Sequence, residues 1–197
     1  MQLVTRYEYI ANYIKIFISL MSKFKNSDLI SSISKTIKNP TVGLPDEIFY
    51  FVSSITPLVC VDLLIKKEKG ILLTWRQDEF YGPGWHLPGG VMRFKEKAHL
   101  RVIKTAKKEL GVPVKILTKK PINIAEQINS TRDIRGHFIA LLYQCDLSSE
   151  LPLEKKFSIK KKDNGTWKWH KRFPKNMIKQ HYIYKDFFLK IFKYFIN

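Results

Sequence analysis

The chain has 197 residues, which is enough for one domain of ordinary size with a hydrophobic core and an appendage. Lysine and arginine number 35 against 17 acidic residues, a formal net charge of +18. This charge has two interpretations, an anionic partner or a general bias towards lysine. The lysines are scattered in pairs and triplets, so nucleic acid is a possible partner that the pattern does not favour. No stretch approaches the roughly 20 apolar residues that a transmembrane helix needs.

Residues 1–43 are predicted to form a helical N-terminal extension. Between Tyr9 and Met21, apolar residues recur at spacings of three and four, which indicates an amphipathic helix. Such a helix can pack on its own domain, form a homodimer contact, or lie on a membrane surface, and we favour the first two placements. Proline and glycine between residues 39 and 45 then indicate a linker.

Both cysteines, Cys60 and Cys145, lie inside apolar runs. This position is typical of buried free thiols, which persist in a reducing compartment. We therefore expect a cytoplasmic protein.

Residues 44–197 are predicted to form one α+β domain. A hairpin is expected across Lys66 to Gly70, because apolar, β-branched runs lie on both sides of it. Pro174 is expected to begin a closing helix. With one further helix between the strands, the pattern predicts an α/β/α sandwich around a mixed sheet. The predicted strands are 58–65, 71–75, 114–117, 122–125, 138–145 and 167–169.

The most specific stretch runs from Gly89 to Gly111. It contains a glycine pair, a glutamate after it, and a helix-like segment that ends in Glu109, Leu110 and Gly111. It resembles the signature of the Nudix hydrolases, G-x5-E-x7-R-E-U-x-E-E-x-G-U, in which U is a bulky aliphatic residue. The positions that fit this signature are Gly90, Glu96, Glu109, Gly111 and Val112.

Three positions depart from the signature. Lys104 stands in place of its arginine, and Thr105 and Lys108 stand in place of two of its glutamates. In the full signature, offsets of three and four place all three helix glutamates on one face, where they can hold Mg²⁺ against phosphate oxygens. Here Glu109 is the residue of that set that can ligate a cation, whereas Lys108 would repel Mg²⁺ but could hold a phosphate directly. Glu96 could serve the site or stabilise the helix start.

The loss of these two glutamates resembles one branch of the family, the GDP-mannose mannosyl hydrolases. The likeness extends to the approach to the first strand (44–47 and 54–59), to Asp62, and to the run 85–90. This branch cleaves the bond between sugar carbon and oxygen and forms dimers. The resemblance implies a Mg²⁺-dependent hydrolase of a nucleoside diphosphate sugar, with Mn²⁺ as an alternative metal, and a possible homodimer.

The resemblance also implies a metal site. Its ligands would be the carbonyl of Gly89, the carboxylate of Glu109, and Asp163 in a late loop that is aligned on Trp169. An ordinary turn aspartate is the other interpretation of Asp163. The family's general base falls at Asn164, whose amide cannot accept a proton from water at neutral pH. His170 or His181 could replace that base, although packing or solvent-exposed histidines are more common.

The resemblance further implies contacts with the substrate. Asp62 and His137 are predicted catalytic residues, and for each a structural role is the alternative. Asp62 interrupts a strand face of Leu58, Cys60 and Leu64, so its carboxylate would need a partner.

Arg76 and Arg93 are predicted to bind the diphosphate, because guanidinium pairs bidentately with phosphate oxygens. Trp75, Trp85 and Tyr81 could stack on a base, but core packing is the more frequent role of such residues.

Two alternative functions remain open from the sequence. One is a nucleoside diphosphate pyrophosphohydrolase with a rebuilt metal site. The other is a degenerate domain that binds nucleotide or RNA without turnover. The lysines in the helical part of the signature and the high positive charge favour this alternative.

Overall fold

The computed structural model describes residues 26–160 and 162–193 and divides the chain into two compact units, 1–40 and 41–197. In the first unit, helix α1 spans Asn26–Thr36 and buries none of its residues. The sequence did not predict α1, and the predicted helix between Tyr9 and Met21 lies outside the described residues. Within the described ranges, no helix is both long and apolar enough to cross a membrane.

The second unit contains three α-helices and eight strands in its described residues. The helices are α2 (Asp46–Ile55), α3 (Ala98–Leu110) and α4 (Lys185–Lys193). Short 3-10 helices span Leu153–Lys155 and Lys179–Tyr184. The strands are β1 (Leu58–Lys67), β2 (Gly70–Arg76), β3 (Gly84–His86), β4 (Gly89–Val91), β5 (Val114–Ile116), β6 (Asn123–Ile128), β7 (His137–Leu147) and β8 (Trp167–His170).

The strands form a mixed sheet in the order β3-β2-β1-β7-β5, with β4 paired to β1, β6 to β7 and β8 to β2. β1 and β7 are parallel, whereas the other pairs are antiparallel. β1 and β2 form the predicted hairpin, with Lys66 opposite Ile71. The central pair of parallel strands explains why β1 is apolar along most of its length, since both of its faces are covered.

Alternate residues of β1 enter two separate cores, which confirms the α/β/α sandwich. Leu58, Cys60 and Leu64 pack with Tyr184, Phe188 and Phe192 on one face. Val61, Leu63 and Ile65 pack with Val102, Ala106 and Leu110 of α3 on the other face. Cys60 and Cys145 are buried free thiols, as predicted.

The sequence did not predict one helix and misplaced the start of another. Residues 46–55 form α2, and Pro45 precedes its first residue. The closing helix begins at Lys185 and not at Pro174. Residues 176–178 cannot start a helix because their backbone pairs with Trp85: the Trp85 N–H donates to the Asn176 carbonyl, and the Ile178 N–H donates to the Trp85 carbonyl.

Candidate active site

A cavity of about 710 Å³ opens in the unit 41–197. Its walls come from the middle of β1, the end of β2, the glycine pair of β4, the last turn of α3 and the loop 163–166. Of the residues predicted from the sequence to form the site, six line this cavity: Asp62, Arg76, Gly89, Arg93, Glu109 and Asp163.

Asp62 lies on the floor of the cavity. It extends from the β1 face that also carries Cys60 and Leu64, and it is only 3% exposed. Burial raises its pKa to about 7, although the hydrogen bond from Tyr184 and the charge of Arg76 act in the opposite direction. The Tyr184 hydroxyl donates to Asp62 Oδ2 over 2.8 Å. The predicted need for a partner is therefore met by a residue of the 3-10 helix, which the sequence did not identify.

The glycine pair brings the backbone close to this carboxylate and to α3. Gly89 lies opposite Asp62 in the β1–β4 pairing, and a Cβ at Gly89 would collide with Asp62 Oδ1. A Cβ at Gly90 would lie 2.5 Å from the hydroxyl of Thr105. Both positions therefore require glycine for steric reasons, independently of any ligand.

Two buried histidines form the wall beside Asp62. The rings of His86 and His181 lie 5.8 Å apart, and His86 Nε2 is 3.0 Å from the hydroxyl oxygen of Thr74. Burial, together with the charge of Arg76, lowers the pKa of His86 to about 3, and burial also holds the pKa of His181 well below its usual value. Both imidazoles are therefore neutral at physiological pH.

The hydrogen bonding of His181 fixes its tautomer. The Leu87 N–H donates to His181 Nδ1 over 3.0 Å, so the neutral ring carries its proton on Nε2. His181, which lines the cavity, is consequently a hydrogen-bond donor through Nε2. His170, the other histidine considered as a base, packs its ring against Trp85 at 4.5 Å and does not line the cavity.

Glu96 is held in a structural role. Its carboxylate accepts hydrogen bonds from the Arg93 N–H (3.0 Å), Arg101 Nε (2.7 Å) and Lys104 Nζ (2.9 Å), and its side chain is only 4% exposed. Burial alone would raise its pKa, but the bonds from Lys104, the Arg93 N–H and Arg101 outweigh burial and lower it to about 2. Glu96 is thus an ionised anchor at the start of α3.

Glu109 occupies the last turn of α3, which Gly111 ends in the left-handed conformation with φ 77°. Within the described part of the chain, no basic group forms an ion pair with Glu109 within 4.0 Å. Burial raises its pKa, against the charges of Lys108, Arg76 and Lys155. A partly desolvated carboxylate on a cavity wall is a group that a cation would stabilise.

The remaining predicted ligands share that cavity, although the described residues contain no group of three histidine, cysteine, aspartate or glutamate side chains that could hold a metal ion. Gly89 and Asp163 line the cavity together with Glu109. Asn164, at the position of the family's base, accepts a hydrogen bond from the Gln77 N–H through Oδ1 over 3.2 Å. Gly89, Glu109 and Asp163 thus share one cavity, whereas positions 105 and 108 of α3 carry no carboxylate.

The two predicted phosphate-binding arginines differ in their surroundings. Arg76 forms an ion pair with Asp78 at 2.6 Å, and its guanidinium lies 4.6 Å from the centre of the Tyr81 ring. Arg93 follows the glycine pair, and burial lowers the pKa of its guanidinium. Arg135, which the sequence did not identify as a site residue, also lines the cavity.

The structure places His137 away from the predicted site. It opens β7 and lies 3.0 Å from Glu126 through Nε2. Neighbouring residues of a strand point to opposite faces. Because Phe138 lines the cavity and His137 does not, the placement gives the predicted catalytic role of His137 no support.

The aromatic residues considered for base stacking have mainly structural positions. Trp75 and Trp85 are buried in the core, with ring centres 5.1 Å apart. Tyr81 lines the cavity, but it is largely buried and its hydroxyl donates to the Arg135 carbonyl.

A family model described as the NUDIX domain matches residues 56–180. The chain is 31% identical over 115 residues to the low-salt glycan biosynthesis protein Agl8 of Haloferax volcanii, with 56% of this chain and 72% of that protein covered. It is also 31% identical over 91 residues to an ADP-ribose pyrophosphatase of Methanocaldococcus jannaschii, with 46% of this chain and 52% of that protein covered.

Among solved structures, the crystal structure of a UDP-X diphosphatase matches with a TM-score of 0.50 at 18% identity. The match covers 96% of this chain and 93% of that chain. At this level of identity the similarity concerns the fold alone.

Proposed function

The chain belongs to the Nudix family and is a hydrolase of that type, and from this premise we propose that it hydrolyses a nucleoside diphosphate sugar similar to GDP-mannose. Water attacks the anomeric carbon, the bond from that carbon to the diphosphate oxygen breaks, and the nucleoside diphosphate leaves with the bonding electrons. The attacking water gives up one proton, which is released to solvent. The glycan biosynthesis role in the name of the Haloferax relative is compatible with a sugar nucleotide as substrate.

One observation carries this proposal. Of the three helix positions that hold glutamates in the full signature, only Glu109 presents a carboxylate to the cavity. Thr105 is buried, and Lys108 lines the cavity and brings a positive charge to it. Cleavage at phosphorus draws on metal ions that polarise the phosphoryl group under attack, whereas attack at the sugar carbon requires mainly a neutralised leaving group.

We propose one bound Mg²⁺, or Mn²⁺ in its place, because Nudix hydrolases generally use divalent metals. Glu109, Asp163 and the Gly89 carbonyl would hold it, and Glu109 fits this role because its desolvated carboxylate has no ion-pair partner in the described residues. When bound, the cation neutralises charge on the diphosphate.

The side chains of the cavity supply the remaining functions. Arg76 and Arg93 bind diphosphate oxygens, since guanidinium donors pair with phosphate geometry. Asp62, held by Tyr184, lies on the floor and orients the sugar or the attacking water. His181 donates a hydrogen bond from Nε2 to an oxygen of the substrate.

The bond that breaks can be identified by incubating the full chain with GDP-mannose and Mg²⁺ in water labelled with oxygen-18. Cleavage at the sugar carbon gives unlabelled GDP and labelled mannose. Production of GMP and mannose 1-phosphate would contradict this mechanism, because those products require attack at phosphorus.

A second candidate, a nucleoside diphosphate pyrophosphohydrolase, is favoured by the name of the Methanocaldococcus relative. It predicts GMP and mannose 1-phosphate in the same experiment, or release of AMP from ADP-ribose. Nucleotide or RNA binding that is sensitive to salt, with no hydrolysis of a nucleotide panel, would instead identify a binding domain without turnover.

We also propose that residues 44–197 form the catalytic domain, that residues 1–43 form an extension, and that the protein is a cytoplasmic homodimer. Light scattering after size exclusion, on the full chain and on a chain that begins at Leu44, measures both the oligomeric state and the contribution of the extension to it.

A further inference from the structure

Three arginines surround two aromatic rings beside the cavity, and three of these five residues line it: Arg76, Tyr81 and Arg135. Arg135 Cζ lies 4.5 Å from the centre of the Phe80 ring, and Arg132 Cζ lies 5.1 Å from it. Around the Tyr81 ring, the distances are 4.6 Å for Arg76, 5.0 Å for Arg132 and 5.5 Å for Arg135. We call these five residues the arginine cluster. Cations over ring faces are attracted by the ring quadrupoles but repel one another.

The partners of the three guanidinium groups differ. Arg76 has a carboxylate partner in Asp78, and Arg132 donates from Nη1 to the Phe80 carbonyl. In the described residues, Arg135 has no carboxylate within ion-pair distance, and its Nε is buried without a hydrogen-bond partner. A partly desolvated guanidinium without a counter-ion is costly, and an anionic ligand would remove that cost.

Arg135 is also fixed in position. Its backbone adopts φ 53°, in the left-handed region that non-glycine residues rarely enter. Its N–H donates to Ser53 Oγ of α2 over 3.1 Å, and its carbonyl accepts from the Tyr81 hydroxyl over 2.7 Å. The guanidinium packs between Phe80, Tyr81 and Phe49. Most of the conformational freedom of the side chain is therefore lost before any ligand arrives, which favours tight binding.

Position distinguishes Arg135 from Arg132. Arg135 lines the cavity together with Arg76 and Glu109, whereas Arg132 does not. Arg135 therefore contributes to the wall of the space in which the proposed substrate would lie.

We propose that Arg135 binds the diphosphate group of the nucleotide and is the principal anion-binding residue of this wall, an inference that rests on the proposed function of the same cavity. The planar fork of the guanidinium matches two phosphate oxygens, and the charge of Arg132 near the same rings strengthens the local positive potential. Arg76 shares its charge with Asp78 and makes the weaker contact.

The proposal is tested by titrating GDP, with UDP, ADP and inorganic pyrophosphate as further probes, into the full chain with Mg²⁺ by isothermal calorimetry. Charged hydrogen bonds of this kind change affinity by about 10- to 100-fold. We expect that loss for Arg135→Gln and a smaller one for Arg135→Lys, which keeps the charge but not the fork.

The matched control is Arg132→Gln, which removes a guanidinium from the same cluster at a residue that does not line the cavity. It should change GDP affinity by less than about threefold, because a cation at this distance acts only through screened electrostatics. Thermal melts by circular dichroism establish that each variant is folded, and Arg135→Lys serves as the test if Arg135→Gln does not fold.

Several outcomes would overturn this inference. These are unchanged GDP affinity in Arg135→Gln and in Arg135→Lys, equal losses in the Arg135 and Arg132 variants, or no binding of any of the four probes to the wild type. Binding of GDP that depends on Arg135, without hydrolysis of any sugar nucleotide, would support the inference and refute the proposed function. Turnover of GDP-mannose that is unaffected by Arg135→Gln would support the proposed function and refute the inference about Arg135.

Discussion

The two glutamates that fit the signature lie near the two ends of α3, and they have opposite surroundings. At the start, Glu96 is enclosed by three donors and its pKa is lowered to about 2. In the last turn, Glu109 faces the cavity and burial raises its pKa. Fixed spacing in a motif thus preserves a frame, while the neighbouring charges decide which carboxylate is available for chemistry.

Lysines occur at both ends and sharpen the difference. Lys104, which stands in place of the signature arginine, donates to Glu96 and completes the anchor. Lys108 stands in place of a glutamate beside Glu109 and lines the cavity without forming an ion pair within the described residues. Lys104 therefore has a structural role, whereas Lys108 changes the charge of the site.

The largest expected effect is the loss of activity in Glu109→Gln. If Glu109 holds the cation, the variant should lower kcat/KM at least about 100-fold, because metal stabilisation is worth several kcal/mol and each 1.4 kcal/mol is a factor of ten. Initial rates of GDP release from GDP-mannose measure the loss, with exposed Glu150→Gln as the matched control. Similar rates in the wild type and in Glu109→Gln would show that Glu109 does not serve catalysis, so that Glu96 and Glu109 would no longer differ in function.

The second prediction concerns stability. Glu96→Gln should lower the free energy of unfolding by about 1–3 kcal/mol at pH 7, because it leaves the Arg93 N–H and the mostly buried Arg101 guanidinium without their charged acceptor. The folded pKa of about 2 lies below the ordinary 4.5, so the anchor stabilises the fold fully above pH 4.5 and loses its effect as the pH falls towards 2. The wild type and the variant should therefore converge in acid.

Urea unfolding between pH 7 and pH 3 measures this convergence, with Glu68→Gln in the exposed β1–β2 turn as the control. A constant difference between the wild type and Glu96→Gln across that range would show that Glu96 does not act through its charge. Activity per folded molecule should stay within about threefold, since Glu96 does not line the cavity.

The smallest effect is expected for Lys108→Glu, which gives the cavity end of α3 a second carboxylate. The Mg²⁺ concentration for half-maximal binding should fall on the order of tenfold, because affinity for hard cations increases with ligand charge. The matched control is Lys107→Glu, which makes the same charge change on an exposed side chain outside the cavity. Calorimetry with Mg²⁺ or Mn²⁺ measures the difference, and equal changes in both variants would show that only net charge matters.

Much of the fold follows from local pattern in the sequence. The period of two in Leu58, Cys60 and Leu64 correctly places Asp62 on a buried face. Its partner Tyr184 lies 122 residues further along the chain, and no local rule connects them. The start of the closing helix was misplaced for a similar reason, since pairing of residues 176–178 with Trp85 overrides the helical spacing.

The site was less predictable than the fold. Six predicted residues line one cavity, because the spacing within the signature and the ends of the strands fix their positions. His137 does not join them, because neighbouring residues of β7 point to opposite faces. Phe138 lines the cavity, and His137, the residue before it, does not. Arg135 lies in a loop without periodicity, and its significance depends on rings and hydroxyls that only the folded chain assembles.

Thr105 has a consequence for protein engineering. It is 2% exposed, its hydroxyl has no hydrogen-bond partner in the described residues, and Gly90 packs directly against it. A designer who wished to rebuild the complete acidic helix could introduce glutamate at 108 as a single exchange. A larger acidic side chain at 105 would first require a different backbone path at Gly90. A library that varies α3 alone would therefore contain few folded proteins with such a side chain at 105.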